Sequence, residues 1–180
     1  MATIPSVVSV VAGTRFRVAL YTAIKAFLDF LIDTPHSSVF HSTTTALPNL
    51  SGGTLLAFDS ETDDSDSMHS TVTNNSRLVF TTAGRYELIV FVSLSAATYT
   101  GLDVHMRLNA AGVIGGGTSI KIWTFASASV PHQLIIPLSR VFAASDYIEI
   151  FVNQNSGGAA TTLGGNQYAT GVQARMIGLT

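Results

Sequence analysis

The chain of 180 residues is long enough for one domain with a buried core. It contains no cysteine, which excludes disulfide frameworks, thiolate metal sites and cysteine nucleophiles. Its net charge of −2 argues against a nucleic-acid-binding protein, which would need a basic surface. Charged residues make up only 11% of the chain and apolar residues 47%. A monomer with so few charges would expose much apolar surface, so we expect self-association to cover part of it.

The N-terminal segment has no positive charge before its apolar stretch, residues 7–13. A secretory signal peptide is therefore not expected. No window approaches the roughly 20 uninterrupted apolar residues of a membrane-spanning helix. These features predict a soluble protein that is made in the cytoplasm and does not insert into a membrane.

Residues 1–35 are predicted to form an arm and an amphipathic helix separate from the rest of the chain. Thr14 is a candidate N-cap, and the helix should end by Thr34 because Pro35 disfavours a helical residue before it. Two interpretations remain open: the helix packs on its own domain, or it anchors the protein by bundling with copies of itself or docking into a larger assembly. The apolar stripe of this anchoring helix, spaced four, four, three and four residues apart, is Phe16, Leu20, Ile24, Phe27 and Leu31.

Residues 36–180 are β in pattern throughout. A short strand is predicted in "SSVFHS" and another in "TLLAFDSE", followed by the acidic loop "TDDSDSMHS". Short strands with turn signals between them and no intervening helix predict an all-β sandwich or jelly roll. The further predicted strands are Arg77–Phe80, Arg85–Ser95, Leu102–Asn109, Thr118–Phe125, His132–Leu138, Tyr147–Gln154 and Gln167–Leu179.

Several of these strands are apolar on both faces. In residues 85–95, the face that begins at Tyr86 and includes Leu88 and Val90 is apolar, as expected for a core, but Ile89 and Phe91 make the other face half apolar too. A second apolar face that contains aromatic residues is typical of a subunit interface. We predict that another copy of the chain covers it. The residues assigned to this interface are Tyr86, Ile89, Phe91, Trp123, Phe125, Tyr147, Phe151, Ile177 and Leu179.

Three segments carry a resemblance to a known family: "SRLVFTTAGRYELIVFVSLS", "GLDVHMRLNAAG" and "LIIPLSRVFAASDYIEIFVNQNSGG". With the closing "ATGVQARMIGLT", they resemble the trimeric jelly roll of the complement globular head and tumour necrosis factor. The segment "FDSETDDSDSMHSTVTNNSRLVFTTAGRYEL" resembles versions of that fold in tailed bacteriophages, especially those of actinobacteria, where a segment with a helix precedes the jelly roll. The absence of cysteines and of a collagen-like stalk argues against a secreted immune protein.

The resemblance implies a homotrimeric, non-enzymatic structural protein of the virion, bound to the major capsid protein or to tail components. A capsid decoration or head fibre protein is the leading hypothesis. The alternative is a tail protein that recognises a host cell-surface glycan. A jelly roll by itself implies no activity.

The acidic segment places five carboxylates within eight residues, and carboxylates at this spacing are candidate ligands of a hard cation such as Ca²⁺. The EF-hand template fails, because its sixth and twelfth positions would be Asp64 and Ser70 instead of Gly and Glu. The alternative is a solvated loop, or a rim contact with Arg77 or Arg85. The candidate ligands are Asp59, Glu61, Asp63, Asp64 and Asp66.

No pattern in the sequence predicts catalysis or a cofactor. The five histidines lack the paired spacing of a metalloenzyme, and Glu87 and Glu149 lie in strand patterns as interface or rim residues. The five histidines, expected to be surface or packed residues, are His36, His41, His69, His105 and His132. Three aromatic residues in or near long loops, which either stack on sugars or pack, are Tyr99, Trp123 and Tyr168.

Overall fold

A computed structural model describes residues 18–50, 52–110, 119–122, 129–165 and 169–179. Within these ranges the chain forms one helix and twelve strands. The helix, α1, spans Val18–Ile32, so it ends before Pro35 as predicted; Phe16 and Thr14 lie outside the described residues. The strands are β1 (His36–Phe40), β2 (Ala46–Leu47), β3 (Thr54–Leu55), β4 (Ser60–Asp64), β5 (Arg77–Phe80), β6 (Gly84–Leu94), β7 (Gly101–Leu108), β8 (Ser119–Ile122), β9 (His132–Phe142), β10 (Asp146–Asn155), β11 (Ala160–Thr161) and β12 (Gly171–Gly178).

The strands form two main antiparallel sheets. The first sheet has the order β4-β1-β12-β6-β9. The second has the order β3-β10-β7-β8, and β5 also pairs with β10. In addition, β2 and β11 form a short two-stranded sheet. Apart from β7 and β8, which pair with each other, consecutive strands of the two main sheets lie in alternate sheets. This is the connectivity of a jelly roll and confirms the predicted fold class.

The core lies between the two main sheets and follows from the alternation of each strand. On β6, Leu88, Val90 and Val92 are buried while the intervening residues are exposed or half-buried. The second sheet contributes Ile148 and Ile150 from β10, where the intervening Glu149 is also buried. Burial of these faces is the main stabilising contribution, about 25 cal/mol per Å² of apolar surface.

The predicted strand over residues 54–61 is wrong, because the chain crosses from one sheet to the other within it. Thr54 and Leu55 pair with β10 in the second sheet, whereas Ser60 begins β4 in the first. The crossing segment buries Leu56 and Phe58 in the core, which explains its apolar pattern. Part of the predicted acidic loop is therefore strand, at an edge position where charged residues are tolerated.

The strand β9 is longer than predicted and continues through Pro137 to Phe142. Proline cannot donate a ladder hydrogen bond, but β9 is the last strand of the first sheet. Its inner edge pairs with β6 over its whole length, including Ile89 with Pro137. The edge position of β9 therefore allows Pro137 within the strand.

Helix α1 is joined to the first sheet by a short connection. The backbone N–H of Met176 donates to the carbonyl of Pro35 at 2.8 Å, and β1 begins at the next residue. Phe30 is buried in the continuous apolar core, whereas much of the rest of the helix is exposed. Ile32, at the C-terminal end of α1, lines a cavity together with Glu87 and Ile89 of β6, so this end of the helix lies over the outer face of the first sheet.

Candidate oligomer interface

The outer face of the first sheet carries large aliphatic side chains that the protomer itself leaves exposed. On β6, Ile89 is 38% exposed although β6 is an interior strand. The register places Phe91 opposite Ile135 on β9. Exposed apolar residues that recur on one face of a sheet mark a candidate interaction site. We define this outer face by its apolar members Ile89, Phe91, Ile135, Val141, Ile177 and Leu179.

Four of the nine predicted interface residues share this outer face, and their burial by a neighbour stays a prediction. The sequence reasoning missed Val141 because it ended the strand at Leu138, and it missed Ile135 although this residue lay within the predicted strand. The signal was present in the adjacent pair Ile135 and Ile136, which places one apolar residue on each side of the strand. The four that it found are Ile89, Phe91, Ile177 and Leu179.

Tyr86 does not belong to the interface. Its side chain points into the core on the same face as Leu88, where it is fully buried and packs edge-on against Phe80. Its hydroxyl donates to the carbonyl of Thr82 at 2.7 Å. Burial, followed by the charge of Asp66, raises the pKa of this phenol. The alternation of the strand therefore overrides the general preference of tyrosine for interfaces.

Tyr147 and Phe151 lie on the second sheet, on the opposite side of the sandwich from Ile89. The guanidinium of Arg77 lies 4.4 Å from the centroid of the Tyr147 ring and donates from Nε to Glu149 at 3.1 Å. These two rings therefore cannot share one continuous surface with Ile89. Trp123 and Phe125 lie outside the described residues.

Phe151 is covered by its own chain. The Arg107 guanidinium lies 3.9 Å from its ring centroid, and the His105 ring packs at 4.9 Å. Gly53, whose φ is +107°, passes so close that a Cβ built there would lie 1.9 Å from Cε1 of Phe151. Local contacts thus explain this apolar residue without a neighbouring subunit.

A polar row crosses the middle of the outer face. Its members are paired across three strands, His36 with Arg175 and Arg175 with Glu87. Beside this row, a cavity of about 440 Å³ opens between the end of α1 and the sheet. The Nε2–H of His36 donates to Asp63 at 2.6 Å, and its Nδ1–H donates to the carbonyl of Thr34 at 2.8 Å.

The two acceptors around His36 favour its protonated form, because a neutral imidazole has only one N–H to donate. The hydrogen bond to Thr34, and then the carboxylates of Asp63 and Asp33, raise the pKa of His36 above 6.5 against the opposing effect of burial. This histidine contributes stability below pH 6.5 that is lost as the pH rises through its folded-state pKa.

We expect the difference in melting temperature between the wild type and His36→Gln to be largest below pH 6.5 and to shrink above it. His41 provides the opposite case, since burial lowers its pKa below 6.5. Its contribution is complete above pH 6.5 and is lost as the pH falls. Thermal melts of His36→Gln and His41→Gln between pH 5 and 8 should therefore show opposite trends. If the difference in melting temperature between the wild type and His36→Gln does not depend on pH, the protonated form of His36 does not stabilise the fold.

The acidic residues are dispersed by the strand instead of converging on one point. Asp59 accepts hydrogen bonds from the backbone N–H and the hydroxyl of Ser42, at 2.6 and 2.7 Å. Asp64 accepts from the backbone N–H groups of Met68 and His69, at 2.8 and 2.9 Å. Asp59 thus ties the start of β4 to the segment after β1, and Asp64 closes the turn that follows β4.

The remaining candidate ligands also bind protein donors. The carboxylate of Glu61 lies 3.3 Å from Nδ1 of His69, and the buried Asp66 accepts from the hydroxyl of Thr81. Asp63 binds His36, as described above. Among the described residues, no three His, Cys, Asp or Glu side chains are grouped as a metal site would require. The observed bonds assign structural roles to all five carboxylates.

Of the three aromatic residues considered for glycan stacking, the structure describes Tyr99. This residue is fully buried, and its hydroxyl donates to the carbonyl of Ser95 at 2.9 Å. Its ring also packs against His132. Tyr99 is thus a packing residue; Trp123 and Tyr168 lie outside the described residues. In the described part of the chain, no helix has the length and apolarity needed to cross a membrane.

No protein-family model matches the sequence, and no curated protein is significantly similar to it. Solved structures do match. The globular domain of zebrafish complement 1qA protein is 13% identical, with 82% of this chain and 100% of that chain covered and a TM-score of 0.48. Eiger TNF from S. frugiperda is 13% identical, with 81% and 95% covered and a TM-score of 0.51. Murine APRIL is 12% identical, with 79% and 99% covered and a TM-score of 0.51. The last two matches establish the fold as a tumour-necrosis-factor-like jelly roll.

Proposed function

We propose that the protein is a non-enzymatic homotrimer whose outer face, as defined above, is buried between subunits. The observation that carries this proposal is the set of exposed aliphatic residues on one face of the first sheet, on the interior strands β6 and β12 and the edge strand β9. The low charge content of 11% supports it, since little polar surface is available to solvate a separate monomer. Domains with this fold are often trimeric, which is consistent with the same arrangement here.

The size of the first sheet is adequate for such an interface. Five strands of five to eleven residues, at about 3.4 Å per residue and about 4.8 Å spacing, give a face of about 650 Å². A stable interface buries about 800 Å² on each partner. The sheet with its flanking helix therefore supplies nearly the whole area. The polar row of His36, Arg175 and Glu87 would supply hydrogen bonds between subunits, with apolar residues of the outer face on either side of it.

We further propose that the trimer is a structural component of a bacteriophage particle, as a capsid decoration or head fibre protein. The support for this is the resemblance of residues 58–88 to phage versions of the fold. The major capsid protein would be the partner, and the virion the location. The alternative is a tail protein that binds a host glycan.

Two measurements test this function. Sedimentation equilibrium of the purified chain at micromolar concentration should give three times the chain mass, and a stable monomer would overturn the homotrimer. Quantitative mass spectrometry of purified phage particles should then find the chain at a copy number comparable to that of the major capsid protein. A copy number that is a small fraction of this value would instead indicate a tail protein, and absence from particles would refute the virion assignment.

A further inference from the structure

Helix α1 carries two apolar seams that differ in exposure, and the less exposed one is called here the covered seam. The covered seam is spaced three, four and three residues apart and consists of half-buried residues with one buried member, Phe30. The other seam has the same spacing but is exposed, with Leu28 50% exposed at its centre. The covered seam is Leu20, Ala23, Phe27 and Phe30. The second seam, called here the free seam, is Tyr21, Ile24, Leu28 and Leu31.

The spacing of the free seam identifies the kind of surface that fits it. Apolar residues at alternating intervals of three and four occupy the a and d positions of a heptad, and such a seam packs against another helix with the same repeat. In the part of the chain that the structure describes, α1 is the one helix, so it alone carries a seam with this repeat. A second copy of α1 is therefore the matching partner. Leucine at an a position with isoleucine at a d position, as in Leu28 and Ile24, favours three or four helices over two.

The position of the free seam is continuous with the outer face of the first sheet. Leu31 lines a cavity of about 350 Å³ together with Ile177 and Leu179 of that face. Subunits that bury the outer face around a threefold axis would therefore also bring their free seams toward that axis. A rotation about the axis preserves the axial direction of each helix, so the three copies would run parallel.

The charges on α1 are compatible with this contact. Lys25 and Asp29 form an exposed ion pair within the helix, and neither residue is a member of the free seam. A helix of 15 residues is marginal by itself in water. Association of the jelly rolls would raise the effective concentration of the three helices to about the millimolar range, which allows a short bundle to form.

We propose that the three α1 helices of the trimer form a parallel bundle through the free seam, Tyr21, Ile24, Leu28 and Leu31. This inference rests on the proposed homotrimer. It assigns an occupant to an apolar surface that the protomer leaves exposed, and it makes the helix part of the oligomer.

The absence of cysteine makes a direct test available. In the full-length chain, Leu28→Cys introduces a single thiol at the centre of the free seam. Ala26→Cys is the matched control, because this exposed residue lies about 160° around the helix from Leu28. Each variant is treated with a short trifunctional maleimide under native conditions, and the products are separated on a denaturing gel. We expect a covalent trimer from Leu28→Cys and only singly labelled chains from Ala26→Cys.

The outcomes separate this inference from the proposed function. A Leu28→Cys chain that sediments as a trimer but gives no covalent trimer would overturn the bundle and leave the homotrimer intact. Equal cross-linking of both variants would also overturn it, because the contact would then not be specific to the free seam. A wild-type chain that sediments as a monomer would overturn the homotrimer and the bundle together.

Discussion

Ile89→Glu is expected to dissociate the trimer. In the protomer Ile89 is already 38% exposed and lies between Gln173 on β12 and Pro137 on β9, so glutamate should be tolerated in the monomer. In the trimer its carboxylate would be buried without a partner and close in sequence to Glu87. Loss of a central interface residue costs about 2 kcal/mol or more, which corresponds to an increase of at least about 30-fold in the dissociation constant. Sedimentation velocity over a dilution series measures this change.

Val72→Glu is the matched control for this experiment. Val72 is 87% exposed in the loop between β4 and β5, so the same chemical change there should leave the oligomer intact. Far-ultraviolet circular dichroism should be the same for both variants and the wild type. If Ile89→Glu sediments like the wild type at every dilution, the outer face is not the subunit interface.

Phe142→Ala is expected to lower the free energy of unfolding by about 3–5 kcal/mol, because it leaves a cavity in a close-packed aromatic cluster. The Phe142 ring stacks on Phe80 with centroids 3.7 Å apart and meets Tyr86 edge-on at 6.2 Å. The total stability of a domain is about 5–15 kcal/mol, so this loss is a large fraction of it. Urea unfolding at one fixed protein concentration measures the change, since dissociation of an oligomer makes stability depend on concentration.

Two further variants serve as controls for the Phe142→Ala measurement. Phe142→Leu keeps part of the buried volume and should lose less stability than Phe142→Ala. Val72→Ala removes methyl groups from an exposed loop position and should change stability by less than about 0.5 kcal/mol. A loss below about 1 kcal/mol for Phe142→Ala would show that the aromatic cluster is not part of a well-packed core.

Much of the strand content was predictable, because the alternation of successive side chains between the two faces of a strand is a local property of the backbone. The strand Arg77–Phe80 has the predicted bounds, and β6, β7 and β10 differ from prediction by one residue at each end. The end of α1 was predictable for a similar reason, since Pro35 acts on its immediate neighbour. The division of residues 54–61 between two sheets could not be predicted. The segment reads as one continuous strand, and only the pairing partners show that its two ends belong to different sheets.

The candidate interface shows more clearly that a strand pattern does not predict which surface a residue joins. Phe91 and Phe151 occur in similar strand patterns, yet Phe91 lies on the outer face of the first sheet and Phe151 beneath Arg107 on the second. The acidic cluster is a further example. Its carboxylates are neighbours in sequence, but the donors that bind them, such as Ser42 and Thr81, come from distant segments.

The sequence alone determined an all-β chain with a preceding helix, strands that are apolar on both sides, and a low content of charged residues. These properties depend on residue type and on spacing along one segment. Only the tertiary structure decided which apolar residues share a surface, which are covered by their own loops, and which seam of α1 stays free. Those outcomes depend on contacts between segments far apart in the chain, and a local pattern carries no information about which segments become neighbours.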